Sequence, residues 1–255
     1  MSNLFDLTGK VAVITGSSRG IGRAIAEQMA VHGAKVVISS RKQDACDEVA
    51  DAINRAHGVG TATAIAASIS SKPALEDLIA RTQAAIGAVD ILVCNAASNP
   101  YYGPMSGISD DAFRKIIDNN VLSNHWLIQL CLPGMIERRD GAIIVVSSIG
   151  GLRGSAELGV YSISKAADLQ LVRNLAVEVG RHNIRANAIA PGLIKTDMAR
   201  ALWENPANME RYNTSHPMRR IGEPIELAGA AVFLASRAGS YVNGQTIVVD
   251  GGSTI

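Results

Sequence analysis

Cysteine is scarce in this chain: Cys46, Cys94 and Cys131 are odd in number, widely spaced and free of any C-x-x-C pair. That pattern excludes a disulfide framework and a cysteine zinc site, and it points to a reducing, cytoplasmic setting. Charge is also in short supply, at 18% of residues against about a quarter in ordinary globular chains. With 24 Lys plus Arg against 23 Asp plus Glu, the net charge is only +1. No global field exists to gather nucleic acid or an anionic membrane, so a bound anion must be held by local devices. No stretch of 18 apolar residues occurs, and residues 1–10 carry Asp6 and lack an apolar core, so neither a membrane span nor a signal peptide is expected. His32, His57, His125, His182 and His216 show no ligand spacing, and no metal is expected. The Arg138-Arg139 and Arg219-Arg220 pairs are too short to make a nucleic-acid patch.

What is present is a hydrophobic fraction of 47%, which excludes a disordered chain; with so little charge it fits a large or oligomeric enzyme. Short β-branched runs alternate with longer stretches of helical period, the pattern of a parallel sheet with helices on both faces. Strands are expected at 11–15, 35–39, 61–65, 89–93, 142–147, 185–190 and 246–249. Helices are expected at 20–32, 42–56, 73–86, 110–136 with a possible break, 161–180 and 224–235. No repeat or Gly/Ser/Pro linker divides the chain, so residues 1–255 are read as one α/β domain, a doubly wound, seven-stranded, Rossmann-like sheet. The stretch 196–217, with Trp203, Pro206, Met209, Tyr212 and Pro217, breaks the rhythm and is read as an irregular binding lid.

Thr15-Gly16-Ser17-Ser18-Arg19-Gly20-Ile21-Gly22 follows the first expected strand and opens a helix. Gly16 allows the tight turn, Gly20 lets the backbone approach a pyrophosphate, and Gly22 permits close packing of a helix whose amino terminus attracts anions. A dinucleotide is the natural ligand. The G-x-x-x-G-x-G spacing behind Thr15 resembles the short-chain dehydrogenase/reductase family. So does Asp90-Ile91-Leu92-Val93-Cys94-Asn95-Ala96-Ala97, although Cys94 and Ala97 stand where that family has Asn and Gly, and Ser68 stands where it has Asp. The likeness continues through Asn120, Ser148, Tyr161, Lys165, Pro191-Gly192 and Asp250-Gly251-Gly252, and so spans nearly the whole chain.

Tyr161 and Lys165 lie four residues apart, one turn apart on one helix face, where an ammonium favours ionisation of a phenol. The resemblance implies that Tyr161 is the acid–base group, that Ser148 donates to the substrate oxygen, and that Lys165 also holds the nicotinamide ribose. It further implies that Asn120 seats a water that passes protons to Lys165; Ser147 is read as a packing residue. The cofactor is expected against Gly16, Ser18, Arg19, Gly20, Ile21, Gly22, Ser40, Arg41, Ser68, Ile69, Asn95, Ala96, Tyr161 and Lys165. Pro191, Gly192, Ile194 and Thr196 complete the set, in a segment that resembles the family's carboxamide holder. Ser40 stands at the end of the second strand, where an NAD enzyme usually has a carboxylate; with Arg41 and Arg19 nearby it points to NADP(H) over NAD(H).

The expected activity is hydride transfer between NADP(H) and a ketone, aldehyde or secondary alcohol. Residues 145–152 and 39–42 look like those of carbonyl and retinal reductases of the family. A 3-ketoacyl-thioester reductase and a non-enzymatic dinucleotide-binding redox sensor are the alternatives. Asn99, Pro100, Tyr101, Tyr102, 152–158 and 203–212 are candidates to line the substrate pocket. The resemblance also implies a homotetramer built on the apolar helices 110–136 and 161–180.

Overall fold

Seven short apolar runs form the strands β1 (Val11–Thr15), β2 (Lys35–Ser39), β3 (Ala62–Ala64), β4 (Ile91–Cys94), β5 (Gly141–Val146), β6 (Ile184–Pro191) and β7 (Thr246–Val249) in a computed structural model that describes residues 3–255. Every pairing is parallel, in the order β3-β2-β1-β4-β5-β6-β7. The chain therefore winds outward from β1 to one edge and then, from β4, to the other. The β1/β4 junction is the topological switch at which open α/β sheets bind ligands, beyond the carboxyl ends of the strands.

The strands are apolar on both faces because both are covered. Along β1, Ala12 and Ile14 face one layer and Val13 the other; along β5, Ala142, Ile144 and Val146 oppose Ile143 and Val145. The first layer is built by α1 (Gly20–Val31), α2 (Gln43–His57) and α9 (Ile225–Ala235). The second is built by α3 (Lys72–Ala85), α5 (Ser123–Arg138) and α6 (Gly159–Val179). Each fully buried Ile, Leu or Val contributes about 1.5–3 kcal/mol, so this two-sided burial is the main stabilising term.

Two sequence expectations, the strand limits and the 196–217 stretch, are corrected, and one is refined. Strand limits shift by one or two residues: β3 is shorter than 61–65, β4 begins at Ile91 rather than 89, β5 spans Gly141–Val146 rather than 142–147, and β6 runs Ile184–Pro191 rather than 185–190. The parallel ladder ends where partner strands end, which the hydrophobic run does not reveal. The break expected within helix 110–136 is a π turn over Asp118–Leu122, between α4 (Asp110–Ile117) and α5. The wider π turn carries Asn119 and Asn120 inward.

The stretch 196–217 is not irregular: it holds a 3-10 turn (Asp197–Ala199), α7 (Arg200–Trp203) and α8 (Pro206–Ser215). Local caps account for them. Thr196 Oγ1 accepts from Ala199 N, and Asn205 Oδ1 accepts from Ala207 N and Asn208 N with Pro206 in the first turn.

Candidate active site

The glycine turn between β1 and α1 is built for close approach. Gly16 and Gly20 have φ of +67° and +57°, which favour glycine. A Cβ on Gly22 would come within 2.5 Å of both the Gly16 carbonyl oxygen and Asn95 Nδ2, and one on Gly20 would stand 3.3 Å from Thr196 Cγ2. Gly16, Gly20 and Gly22 are thus brought against Asn95, Ala96 and Thr196, from the loops after β4 and β6. Arg19 precedes α1 in extended conformation without a side-chain cap, and the first turn carries no acid. An unneutralised helix amino terminus and a cradle without side chains fit a pyrophosphate.

Thr15 ties the two central loops together: its Oγ1 accepts from Asn95 N and Ala96 N, both at 3.1 Å. Asn95 Nδ2 returns bonds to the carbonyls of Thr15 (2.9 Å) and Gly16 (3.2 Å). Ser17, buried completely, accepts from Ser39 N and donates to Ile14 O, which fixes the turn to the end of β2. Neither Thr15 nor Ser17 is in the expected ligand set; both brace it, and a hydroxyl beside the glycines is the signal that marks them. Ser40 Oγ lies 3.2 Å from Cys46 Sγ, and Ala67 N donates to Ser40 O, so the Ser40-Arg41 and Ser68-Ile69 segments adjoin. Arg41 is exposed. Arg19 turns toward the 196–217 segment, where it pairs with Asp197 at 3.0 Å. Beyond β6, Gly192 N donates to Val249 O, and the buried Ile194 is bridged to Gly222.

Ser148, two residues past β5, accepts from Gly150 N at 3.0 Å and starts a 3-10 turn. Ser147 is buried and donates to the Lys165 carbonyl at 2.8 Å, a packing role. Tyr161 and Lys165 share α6, with Lys165 Nζ 5.8 Å from the phenol ring centroid. That ammonium is buried and donates to Val146 O (2.9 Å) and Asp168 Oδ2 (3.1 Å). Burial pulls it toward the neutral amine, but the Asp168 carboxylate and then Tyr161 together outweigh burial and hold it above the ordinary lysine range.

Asn120, fully buried in the π turn, spends its side chain on structure. It accepts from Ser98 N at 2.8 Å and donates to Ser98 O and to Ser164 Oγ on α6. Its main-chain oxygen accepts from Asn124 Nδ2 at 2.6 Å. Asn124 and Asp168, bonded to Asn120 and Lys165, lie outside the expected site set; Asn120/Asn124 at i,i+4 and Lys165/Asp168 at i,i+3 were the available signal.

Beside Tyr161 lies a narrow cleft lined by Asn99, Tyr101, Met105, Ile116, Leu158 and others, with Asn99 Oδ1 buried and unpartnered. Tyr102 donates to Glu157 at its rim. Trp203 turns elsewhere and donates to Thr196 O. The three thiols are buried; burial pushes Cys131 up to about 12 and Cys94 well above its ordinary range. Among the described residues no His, Cys, Asp or Glu cluster gathers to hold a metal, and no helix is long and apolar enough to cross a membrane.

A family model described as Enoyl-(Acyl carrier protein) reductase matches residues 16–254. Dehydrogenase/reductase SDR family member 4 of Bos taurus is 41% identical over 254 residues, covering 99% of this chain and 90% of the relative. The chain belongs to the short-chain dehydrogenase/reductase family. As a member it is an NAD(P)-dependent oxidoreductase of carbonyl and alcohol substrates. Two solved structures of the family share its architecture. A gluconate 5-dehydrogenase from Burkholderia cenocepacia J2315 in complex with NADP and tartrate superposes with a TM-score of 0.93 at 33% identity, covering 98% of this chain and 97% of that one. A 7 alpha-hydroxysteroid dehydrogenase complexed with NADH and 7-oxo glycochenodeoxycholic acid also gives 0.93, at 38% identity, covering 99% and 98%.

Proposed function

We propose that this short-chain dehydrogenase/reductase is a cytoplasmic, NADP(H)-dependent carbonyl reductase. In this reading Tyr161 exchanges the proton with the substrate oxygen, Ser148 donates to that oxygen, and Lys165 holds the ribose hydroxyls and favours charge on the phenol. The observation that carries it is the joint arrangement at the carboxyl end of the sheet. The buried Lys165 ammonium and the Tyr161 phenol share one face of α6, Ser148 lies two residues past β5, and the glycine cradle opens after β1, on the other side of β4. A nicotinamide bound there supplies or accepts the hydride.

The chain's own residues do the rest. Gly16, Ser18, Gly20, Ile21 and Gly22 offer backbone to the pyrophosphate. Asn95, Ala96, Ser68 and Ile69 border the adenosine half, and Pro191, Gly192, Ile194 and Thr196 hold the carboxamide. Asn120 braces the loop after β4 against α6, which keeps the phenol and ammonium in register. The segment 196–217, tied to the glycine turn by Arg19–Asp197, is the lid that excludes water. Exposed Val177 and Ile163 on α6, with Tyr241 and Val248 at the β7 edge, support a homotetramer, which light scattering tests.

Tyr161→Phe should slow turnover at least about a hundredfold with cofactor affinity nearly intact. A variant with more than about a tenth of wild-type turnover removes the assignment. The preference for NADP(H) rests on Ser40, which offers no carboxylate to a 2′-phosphate, and on Arg41 and Arg19. Both arginines are exposed and Arg19 is shared with Asp197, so the expected preference is about tenfold. Equal use of both cofactors by the wild type, or an unchanged preference in Ser40→Asp, counts against it. A panel that pairs free ketones with an acyl-carrier thioester separates carbonyl reduction from ketoacyl reduction.

A further inference from the structure

An ion pair at i,i+3 on a helix is ordinarily a solvated pair of modest value. The one on α6 is inside the protein: Lys165 and Asp168 side chains are 3% and 0% exposed, with Nζ 3.1 Å from Oδ2. Placing a carboxylate among apolar helices is costly, and packing alone would be served as well by an apolar residue. The carboxylate is fully engaged. Its Oδ1 accepts from Asn124 Nδ2 at 3.0 Å, and the same amide donates to the Asn120 carbonyl. Asn120 Nδ2 then reaches Ser164 Oγ, whose hydroxyl donates to the Tyr161 carbonyl at 2.7 Å. A continuous bonded path thus runs from the backbone of Tyr161 to the ammonium of Lys165.

Other titratable groups facing the pair are few. Tyr161 lies on the same helix; Cys94 on β4 feels both partners, and Cys131 on α5 lies near Cys94. Both thiols are pushed up by burial and stay neutral. Asp168 is therefore the counter-charge of Lys165.

We propose that Asp168 is a positioning residue of the reaction: its carboxylate, held by Asn124, keeps the buried Lys165 charged and aimed, with one N–H left for the reacting site. The proposal deepens the function above and rests on its assignment of Tyr161 and Lys165. An ammonium so deeply buried and stripped of its counter-charge is drawn toward the neutral amine. A neutral Lys165 no longer favours charge on the phenol oxygen and loses a donor to the ribose, so the defect must grow as pH rises.

The test measures kcat for alcohol oxidation and the cofactor KM from about pH 6 to about pH 10 in wild type, Asp168→Asn and Tyr161→Phe, with melting curves to verify folding. Asp168→Asn is isosteric and should stay within about tenfold of wild type near pH 7. It should then acquire a descending alkaline limb, falling at least another tenfold or so behind wild type by about pH 9.5, with cofactor KM rising in step. A profile parallel to wild type overturns the proposal, because a packing defect lowers activity without moving the pH dependence. An active Tyr161→Phe instead overturns the underlying assignment, whereas an inactive Tyr161→Phe beside a parallel Asp168→Asn profile sinks the Asp168 role alone. If Asp168→Asn does not fold, Asp168→Ser, which keeps an acceptor for Asn124, must show the same limb. If neither folds, lysine-15N NMR of the wild type decides: the Lys165 ammonium signal should persist at about pH 10, and its loss below that refutes the proposal.

Discussion

Replacing Thr15 by valine removes one oxygen and keeps the shape of the side chain, so its effect isolates the hydrogen bonds that join β1 to the loop after β4. Thr15 is 2% exposed, and its Oγ1 is the acceptor for the backbone N–H groups of Asn95 and Ala96. A stranded donor costs about 1–3 kcal/mol; at about 1.5 kcal/mol each, two half-buried donors give about 3 kcal/mol. The extra buried methyl returns about 0.8 kcal/mol, which leaves a net loss of about 2 kcal/mol. For a chain of this size that lowers Tm by about 4–8 °C. Because Asn95 also borders the glycine turn through its bonds to Thr15 O and Gly16 O, cofactor affinity should weaken about three- to tenfold. Calorimetry at matched protein concentration, with and without cofactor, reads both effects, and Thr15→Ser serves as the control that keeps the acceptor. A Thr15→Val melt within about 1 °C of wild type would refute the reasoning, since the N–H groups would then have found other partners.

Gly22→Ala places a Cβ 2.5 Å from the Gly16 carbonyl and Asn95 Nδ2 and should cost about 1–3 kcal/mol, with loss of cofactor binding by fluorescence titration. By contrast Gly229→Ala, on the exposed face of α9 with nothing within 4 Å, should stabilise by about 0.5–1 kcal/mol; a stabilised Gly22→Ala or a destabilised Gly229→Ala contradicts the steric argument. Arg185 donates to the carbonyls of Leu234 and Ala235 in the last turn of α9 and of Ser236 and Gly239 just past it, so Arg185→Met should lose about 2–4 kcal/mol in urea unfolding, and a loss under about 1 kcal/mol counts against that role. Arg220 bonds Glu226 through two 2.7 Å contacts, which with the Glu223 N–H lower its carboxyl from an ordinary 4.5 to about 2. A lowered carboxyl contributes stability above its unfolded value and loses it as pH falls through the folded one. Glu226→Gln should therefore melt below wild type at pH 6 and match it near pH 2, and a gap that persists at pH 2 excludes the ionic origin.

Local spacing determined a good deal of this protein. The alternation of β-branched runs with helical stretches requires a parallel sheet covered on both faces, because only there are both sides of every strand apolar. The glycine spacing after β1 marks a cradle, since positive φ and missing Cβ atoms are properties of glycine itself. Tyr161 and Lys165 must share a helix face by helical period alone. What spacing leaves open is the surface that each face meets. Asp168, three residues after Lys165, carries no mark in the local pattern; only the packing of α5 and β5 around it makes it a buried counter-ion. Asn120 is marked as a site residue by resemblance, but its burial, with that of Asn119, comes from the π turn, which the helical period does not show. Arg19 reads as a phosphate ligand, yet its guanidinium lies against Asp197, 178 residues away in the chain. In each case the chemistry depends on what lies opposite a side chain across the fold, and that neighbour is set by how the layers pack, which no local pattern records.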